Sequence, residues 1–223
     1  MPATPSDLPE VARVARDLIR FDTTNHGGGN AAGEREAAEY VGAYLEDLGL
    51  AVDYYEPIPR RTNVHARIRG RNPDRPALVL HGHLDVVPAI AEDWSVDPFA
   101  GEIRDGMLWG RGAVDMKDMD AMILTAVADM ARAGEQPDRD IVLAFFADEE
   151  NGGIDCLGFL PGQVRRFGQT MLLIEGNGKA PSSPDVSLVP RSYADCGSPT
   201  PKKAIARSEA TWAWETDALP AQP

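Results

Sequence analysis

Cysteine is scarce in this chain: among 223 residues only Cys156 and Cys196 carry a thiol. Two widely separated cysteines give neither a disulfide framework nor the spacing of a zinc ribbon. Basic charge is also in deficit, with 22 Lys and Arg against 35 Asp and Glu, a formal net charge of −13. No basic stripe is there to neutralise phosphates, which argues against nucleic acid and anionic membranes as partners. No apolar run approaches the ~20 residues of a membrane span. Residues 1–10 hold prolines and acids where a secretory signal would have basic and apolar regions. These absences predict a cytoplasmic protein. Histidine is rare as well, present only at His26, His65, His81 and His83. What remains, 43% hydrophobic and 26% charged, is ordinary globular composition, at a length that suits one large domain or two small ones.

Periodicity divides the first part of the chain into alternating elements. Val11, Val14, Ala15, Leu18 and Ile19 predict a helix over 7–20, with Asp7 and Glu10 as a capping box. The loop that follows contains Gly27, Gly28 and Gly29. It has no preceding strand and no Lys-Ser/Thr pair, so it is a plain loop and not a phosphate cradle. Ala37, Ala38, Val41, Tyr44, Leu45 and Leu48 line a second helix over 34–48, stopped by Gly49. The period then changes to that of strands over 51–55, 63–69 and 77–83. Within the last, Ala77-Leu78-Val79-Leu80 suits a strand buried on both faces. A hairpin turning at Asp105-Gly106 joins 102–104 to 107–109. Met119, Met122, Ile123, Ala126, Val127 and Met130 mark the inward face of a helix over 118–133 that ends at Gly134, the methionines serving as core filler. A buried strand over 141–147 follows. Strands alternating with helices predict a layered α/β domain.

Beyond about residue 155 the pattern weakens, and eight of the 18 prolines lie after residue 160. One more strand is predicted over 171–174 and a short helix over 202–214. The expected organisation is therefore a core over 1–155 and a divergent, proline-rich tail over 156–223.

Acidic and imidazole side chains gather at the C-terminal ends of the predicted strands, where open α/β sheets place their sites. His83-Leu84-Asp85 closes the strand 77–83. Residues i and i+2 of an extended chain point the same way, so His83 can ligate a metal while Asp85 fixes its tautomer through the other ring nitrogen. The plain alternative is a strand-end histidine beside a surface aspartate, and His81 on the same face is a rival ligand. Asp115, within Gly110-Arg111-Gly112-Ala113-Val114-Asp115-Met116-Lys117, sits at a loop-to-helix junction. It is either a helix N-cap or a carboxylate bridging two metals ~3.5–4 Å apart. Asp148-Glu149-Glu150-Asn151-Gly152-Gly153 follows the strand 141–147. Three consecutive acids raise one another's pKa values unless cations neutralise them. One glutamate can ligate a metal while its neighbour acts as general base; the plain alternative is a solvated acidic loop.

Together these motifs resemble a known family, the co-catalytic zinc metallopeptidases and deacylases that include acetylornithine deacetylase, succinyl-diaminopimelate desuccinylase, aminoacylase and bacterial glutamate carboxypeptidase. The match runs from about residue 7 to 153. It includes Leu18-Ile19-Arg20-Phe21-Asp22-Thr23-Thr24-Asn25 and Gly82-His83-Leu84-Asp85-Val86-Val87-Pro88, with 94–99, 110–117 and 148–153 following in family order. The resemblance implies a layered mixed sheet with helices on both faces. It also implies hydrolysis of amide bonds in a small-molecule substrate, an N-acyl amino acid or short peptide. Two Zn2+ ions are the implied cofactor, with Co2+ or Mn2+ able to substitute. Carried over by residue, His83 would ligate zinc, Asp85 would orient His83, and Asp115 would bridge the metals. Glu149 would be the general base and Glu150 a ligand. Glu175, about two dozen residues further on, would be the remaining acidic ligand.

After His83 the sequence departs from the family. The family closes its second zinc site with a histidine near the C-terminus, and takes another from an inserted α+β lid domain that also makes the dimer contact. No histidine follows His83 here, and the lid has no counterpart, which leaves a homodimer open. The expectation is an incomplete form, a fragment with a truncated or frameshifted tail. Its alternative is a non-catalytic remnant with weak or no metal binding. A dinucleotide-binding protein is disfavoured, because no G-x-G-x-x-G follows a first strand.

Overall fold

A computed structural model describes residues 8–27 and 30–151 in full, and the backbone alone of 171–174 and 206–207. The elements in chain order are α1 (Glu10–Ile19), α2 (Arg35–Asp47), β1 (Val52–Ile58), β2 (Arg61–Ile68), β3 (Ala77–His83), β4 (Glu102–Arg104), β5 (Met107–Trp109), α3 (Lys117–Arg132), β6 (Ile141–Phe146), β7 (Met171–Ile174) and β8 (Ala206–Arg207). Five strands form one sheet in the order β1-β2-β6-β3-β7. The β1–β2 and β2–β6 pairs are antiparallel, while β3 runs parallel to both β6 and β7. Parallel neighbours require a crossover, and α3 lies in the connection from β3 to β6. The mixed α/β sheet expected from the sequence is therefore present.

Strand register decides which face holds the core. Val64 lies opposite Phe145, Ala66 opposite Leu143, and Leu143 opposite Leu80. These residues meet Val14, Leu18 and Ile19 of α1, Val41 and Leu45 of α2, and Leu124 and Val127 of α3 in one apolar cluster. The three α-helices among the described residues thus pack on one face of the sheet. The other face carries Ala144 and Phe146 with Tyr55 packed against them; the expectation of helices there falls outside the described residues. Gly49 and Gly134 end α2 and α3 at φ +80° and +65°, the left-handed stop that glycine adopts without a Cβ clash. Asp105 and Gly106 both have positive φ, as a two-residue hairpin turn requires.

Three expectations need correction. The first is the start of α1, which follows Pro9 with no side-chain cap among the described residues; Asp7 lies outside them. Glu10 reaches across the helix layer instead. Arg132 donates to its two oxygens at 2.5 and 2.8 Å, and the Tyr44 hydroxyl donates at 3.0 Å. The Arg132 bonds, helped by Tyr44 and opposed by burial, hold the Glu10 pKa at about 2 against an ordinary 4.5. A depressed carboxyl pKa stabilises the fold above the unfolded value, and that contribution is lost as pH falls through the folded value. Glu10→Gln is accordingly expected to unfold at lower urea than wild type at neutral pH. The two midpoints should converge as pH falls from 4.5 towards 2.

The second correction is the face of α3. Ala121, Ile123, Leu124, Val127 and Ala128 are buried together with Asp118 and Asp120, whereas Ala126 is exposed and Met119, Met122 and Met130 are half-buried. The first turn of α3 runs beneath the strand ends, so its inward stripe begins with acids that a hydrophobic pattern assigns to solvent. Gly82 permits the approach: a Cβ there would fall 2.0 Å from Asp120 Oδ1. The third correction lies within 202–214, where the pattern predicts a short helix. Ala206–Arg207 is a strand, paired antiparallel with β5. Pairing with β5 satisfies backbone groups that a weakly periodic helix would satisfy no better. The rest of 202–214 lies outside the described residues. Among those residues, no helix is long and apolar enough to cross a membrane.

Candidate metal centre

β3 and β6 run parallel and finish at the same sheet edge, with His83 beside Phe146. The ladder continues one step, the Leu84 N–H donating to the Phe146 carbonyl at 2.8 Å. This brings 83–85 against 147–150. Asp85 is fully buried at their junction. Its Oδ1 accepts from the Glu149 N–H at 3.0 Å, and its Oδ2 from the Glu150 N–H at 3.0 Å and from Asn25 Nδ2 at 2.9 Å. Burial works against its charge, but the His83 ring, the Asn25 amide and the Glu150 N–H outweigh it and hold the Asp85 pKa below the ordinary value.

His83 Nδ1 lies 3.0 Å from the Asp85 carbonyl oxygen and 3.5 Å from Asp85 Oδ1. The main-chain acceptor is thus the nearer one, and the carboxylate beside the ring also holds the glutamate turn and the Asn25 amide. A proton on Nδ1 leaves Nε2 as the ligand atom. Nε2 faces Asp115 Oδ1 at 3.2 Å and Glu149 Oε2 at 3.7 Å. One ligand atom each from His83, Asp115 and Glu150 lie within 4.8 Å of one another. His83 is buried while the Asp115 side chain is 77% exposed, so the cluster opens to solvent on the Asp115 side. Asp115 is not the helix cap, a position held by Met116. His81, the rival on the same strand face, tilts against Phe146 with ring centroids 5.8 Å apart. Glu175 lies outside the described residues.

Charge in this cluster is unbalanced. Burial alone would suppress a charge on His83, but bonds to Asp115 and Asp85 and the charges of Asp85 and Glu149 raise its pKa well above the usual imidazole value. Glu150 is pushed up to about 7, chiefly by burial and then by repulsion from Asp115, Asp85 and Glu149, against the pull of His83. One imidazole facing several carboxylates is a donor set suited to a divalent cation, and the residues present fit one.

Several supporting residues had no predicted role. Asp148, the first acid of the run, does not face the cluster: its Oδ1 accepts from Asn25 Nδ2 at 2.9 Å and from the Arg61 guanidinium. The other terminal nitrogen of Arg61 binds Glu34, whose pKa burial pushes up to about 8 despite Arg61. Asn63 Oδ1 accepts from the Ala147 N–H at 3.0 Å. The segment before the glycine loop is laced to the strand end, with Thr23 Oγ1 donating to the Leu84 carbonyl at 2.6 Å and the Asn25 N–H to the Val86 carbonyl at 2.9 Å. Buried Lys117 ties the 110–117 motif to the same segment, donating to the Phe21 carbonyl at 2.8 Å. Asn25 was detectable as the end of a matched motif. Glu34 and Arg61 had no local signal, because Arg61 is 27 residues from Glu34 and 87 from Asp148.

The profile of Peptidase family M20/M25/M40 matches residues 79–190, just over half of the chain, and the chain belongs to that family. Over 181 residues it is 36% identical to succinyl-diaminopimelate desuccinylase of Methylobacterium radiotolerans, covering 77% of this chain and 44% of that protein. It is 39% identical to aminoacylase-1 of Sus scrofa over 116 residues, covering 50% of this chain and 28% of that protein. A solved M20 family metallo-carboxypeptidase from Sulfolobus solfataricus superimposes with a TM-score of 0.64 at 21% identity, over 74% of this chain and 37% of that one. That last likeness concerns the fold. The chain spans less than half the length of each of these relatives.

Proposed function

We propose that this chain carries the metal-binding and proton-transferring half of a hydrolase that cleaves amide bonds in N-acyl amino acids or short peptides. The observation that carries the reading is the convergence of His83, Asp115 and Glu150 within 4.8 Å, with Glu149 beside them at the ends of β3 and β6. The names of the relatives, a desuccinylase and an aminoacylase, support the substrate class. In this reading His83, Asp115 and Glu150 hold the cation, zinc with cobalt or manganese as substitutes. Glu175, next in the chain after β7, is the further ligand. Bound there, the cation would supply Lewis acidity towards water and the scissile carbonyl.

The other steps belong to the chain itself. Asp85 orients the ring of His83 and holds the backbone of Glu149 and Glu150. Glu149, with a side chain 34% exposed, is open to substrate. It accepts a proton as water oxygen adds to the carbonyl carbon, then returns it to the amine nitrogen as the C–N bond breaks. The residues that do this lie in the proposed core, 1–155.

The test is metal content of the chain purified without chelator, beside Glu150→Ala. One or two zinc ions per chain, lost in the variant, are expected. An unaltered chain that folds and holds no divalent metal would reject the assignment and favour a non-catalytic remnant.

A further inference from the structure

Glu149 and Glu150 face the candidate metal centre from a turn whose backbone is unusual. Asp148, which starts it, has φ +62°. A residue with a Cβ enters this left-handed region at an energetic cost, and stays there where its surroundings over-determine it. The surroundings here are specific. Two donors converge on Asp148 Oδ1, Asn25 Nδ2 at 2.9 Å and the Arg61 guanidinium. Arg61 is itself braced, since its second terminal nitrogen binds Glu34. The backbone beside it is pinned too, the N–H groups of Glu34 and Arg35 donating to the Arg60 carbonyl at 2.8 and 3.2 Å. Arg61, Glu34 and Asp148 are 7%, 0% and 8% exposed, so water does not compete for these bonds.

We infer that Arg61, braced by Glu34, is a positioning residue for the glutamate turn. It holds Asp148 in the left-handed conformation from which Glu149 and Glu150 offer their N–H groups to Asp85 and their carboxylates to the side of His83. The consequence for metal rests on the hydrolase reading above; the hold on the turn is a matter of geometry alone. A merely structural Arg61 would neutralise two buried acids and do nothing more. The difference lies in the shape of the cation. A guanidinium offers two nitrogens in a rigid fork, one for each carboxylate, whereas an ammonium is a point charge without that fork. Arg61→Lys therefore keeps the charge and loses the hold.

The experiment compares isotope-labelled full chain with Arg61→Lys and with Glu34→Gln, under conditions where each is folded. Amide hydrogen exchange is followed at Glu149 and Glu150 and, as a reference, at Val142 and Leu143 within β6. Co2+ is titrated by its visible absorption. Exchange at Glu149 and Glu150 is expected to rise about tenfold or more while the reference amides stay protected. Cobalt affinity is expected to fall about 10–100-fold, the usual effect of removing an outer partner of a metal ligand. Should Arg61→Lys fail to fold, Glu34→Gln carries both readouts, because the side-chain hydrogen bond that ties Glu34 to the turn runs through Arg61. Equal changes at all four amides, or none, with cobalt affinity unchanged would reduce Arg61 to a structural residue. An unaltered chain that takes up no cobalt would overturn the hydrolase reading, and the exchange pattern would still judge the hold on the turn.

Discussion

Under the proposed hydrolase function, Glu149→Gln is expected to keep its bound metal and to lose turnover of N-acyl amino acids by about 10²–10⁴-fold, the usual worth of a positioned general base. Glutamine preserves the size of the side chain and leaves the Glu149 backbone bond to Asp85 intact, but it cannot accept a proton. The proposed ligands are His83, Asp115 and Glu150, so metal stoichiometry should not change. The pairing of readouts matters: loss of both metal and turnover would make Glu149 a ligand. Turnover retained at the wild-type rate would remove it from the mechanism. The comparison is made on initial rates of amine release at saturating metal.

Asp85→Ala is expected to cost about 3 kcal/mol or more of stability, and about 10–100-fold in metal affinity. Three donors converge on this fully buried carboxylate, from Asn25, Glu149 and Glu150. Each buried donor left without a partner costs on the order of 1–3 kcal/mol. Asp85→Asn should fall between wild type and Asp85→Ala, since one oxygen remains an acceptor while the new amide group opposes an N–H. Urea unfolding reports the first effect and a zinc competition titration the second. A variant with wild-type stability and affinity would mean that the turn is held without Asp85.

The strands that carry the site were legible because their cues are local. The continuous apolar runs of β3 and β6, followed within a few residues by His83 and by Asp148-Glu149-Glu150, place His83 and the two glutamates at strand ends from sequence alone. The fold class followed from the same alternation of periods. What escaped was anything set by tertiary neighbours. The buried face of α3 was misplaced because Asp118 and Asp120 point inward beneath the strand edge, and apolar pattern alone sends acids to solvent. Asp85 faces the His83 ring, as the i, i+2 spacing predicts, with its carbonyl 3.0 Å and its Oδ1 3.5 Å from Nδ1. Its second task, accepting from the Glu149 and Glu150 N–H groups, depends on the parallel register of β3 and β6, which no spacing within 83–85 encodes. The Glu34–Arg61–Asp148 chain was invisible for the same reason, its members being far apart in sequence and ordinary in composition.

The most direct measurement is anomalous diffraction at the zinc edge from crystals of the chain grown with Zn2+. A peak in contact with His83 Nε2 and with carboxylate oxygens of Asp115 and Glu150 is the predicted result. A zinc ion held elsewhere, on His65 or His81, with His83 still turned towards an empty cluster, would contradict the account.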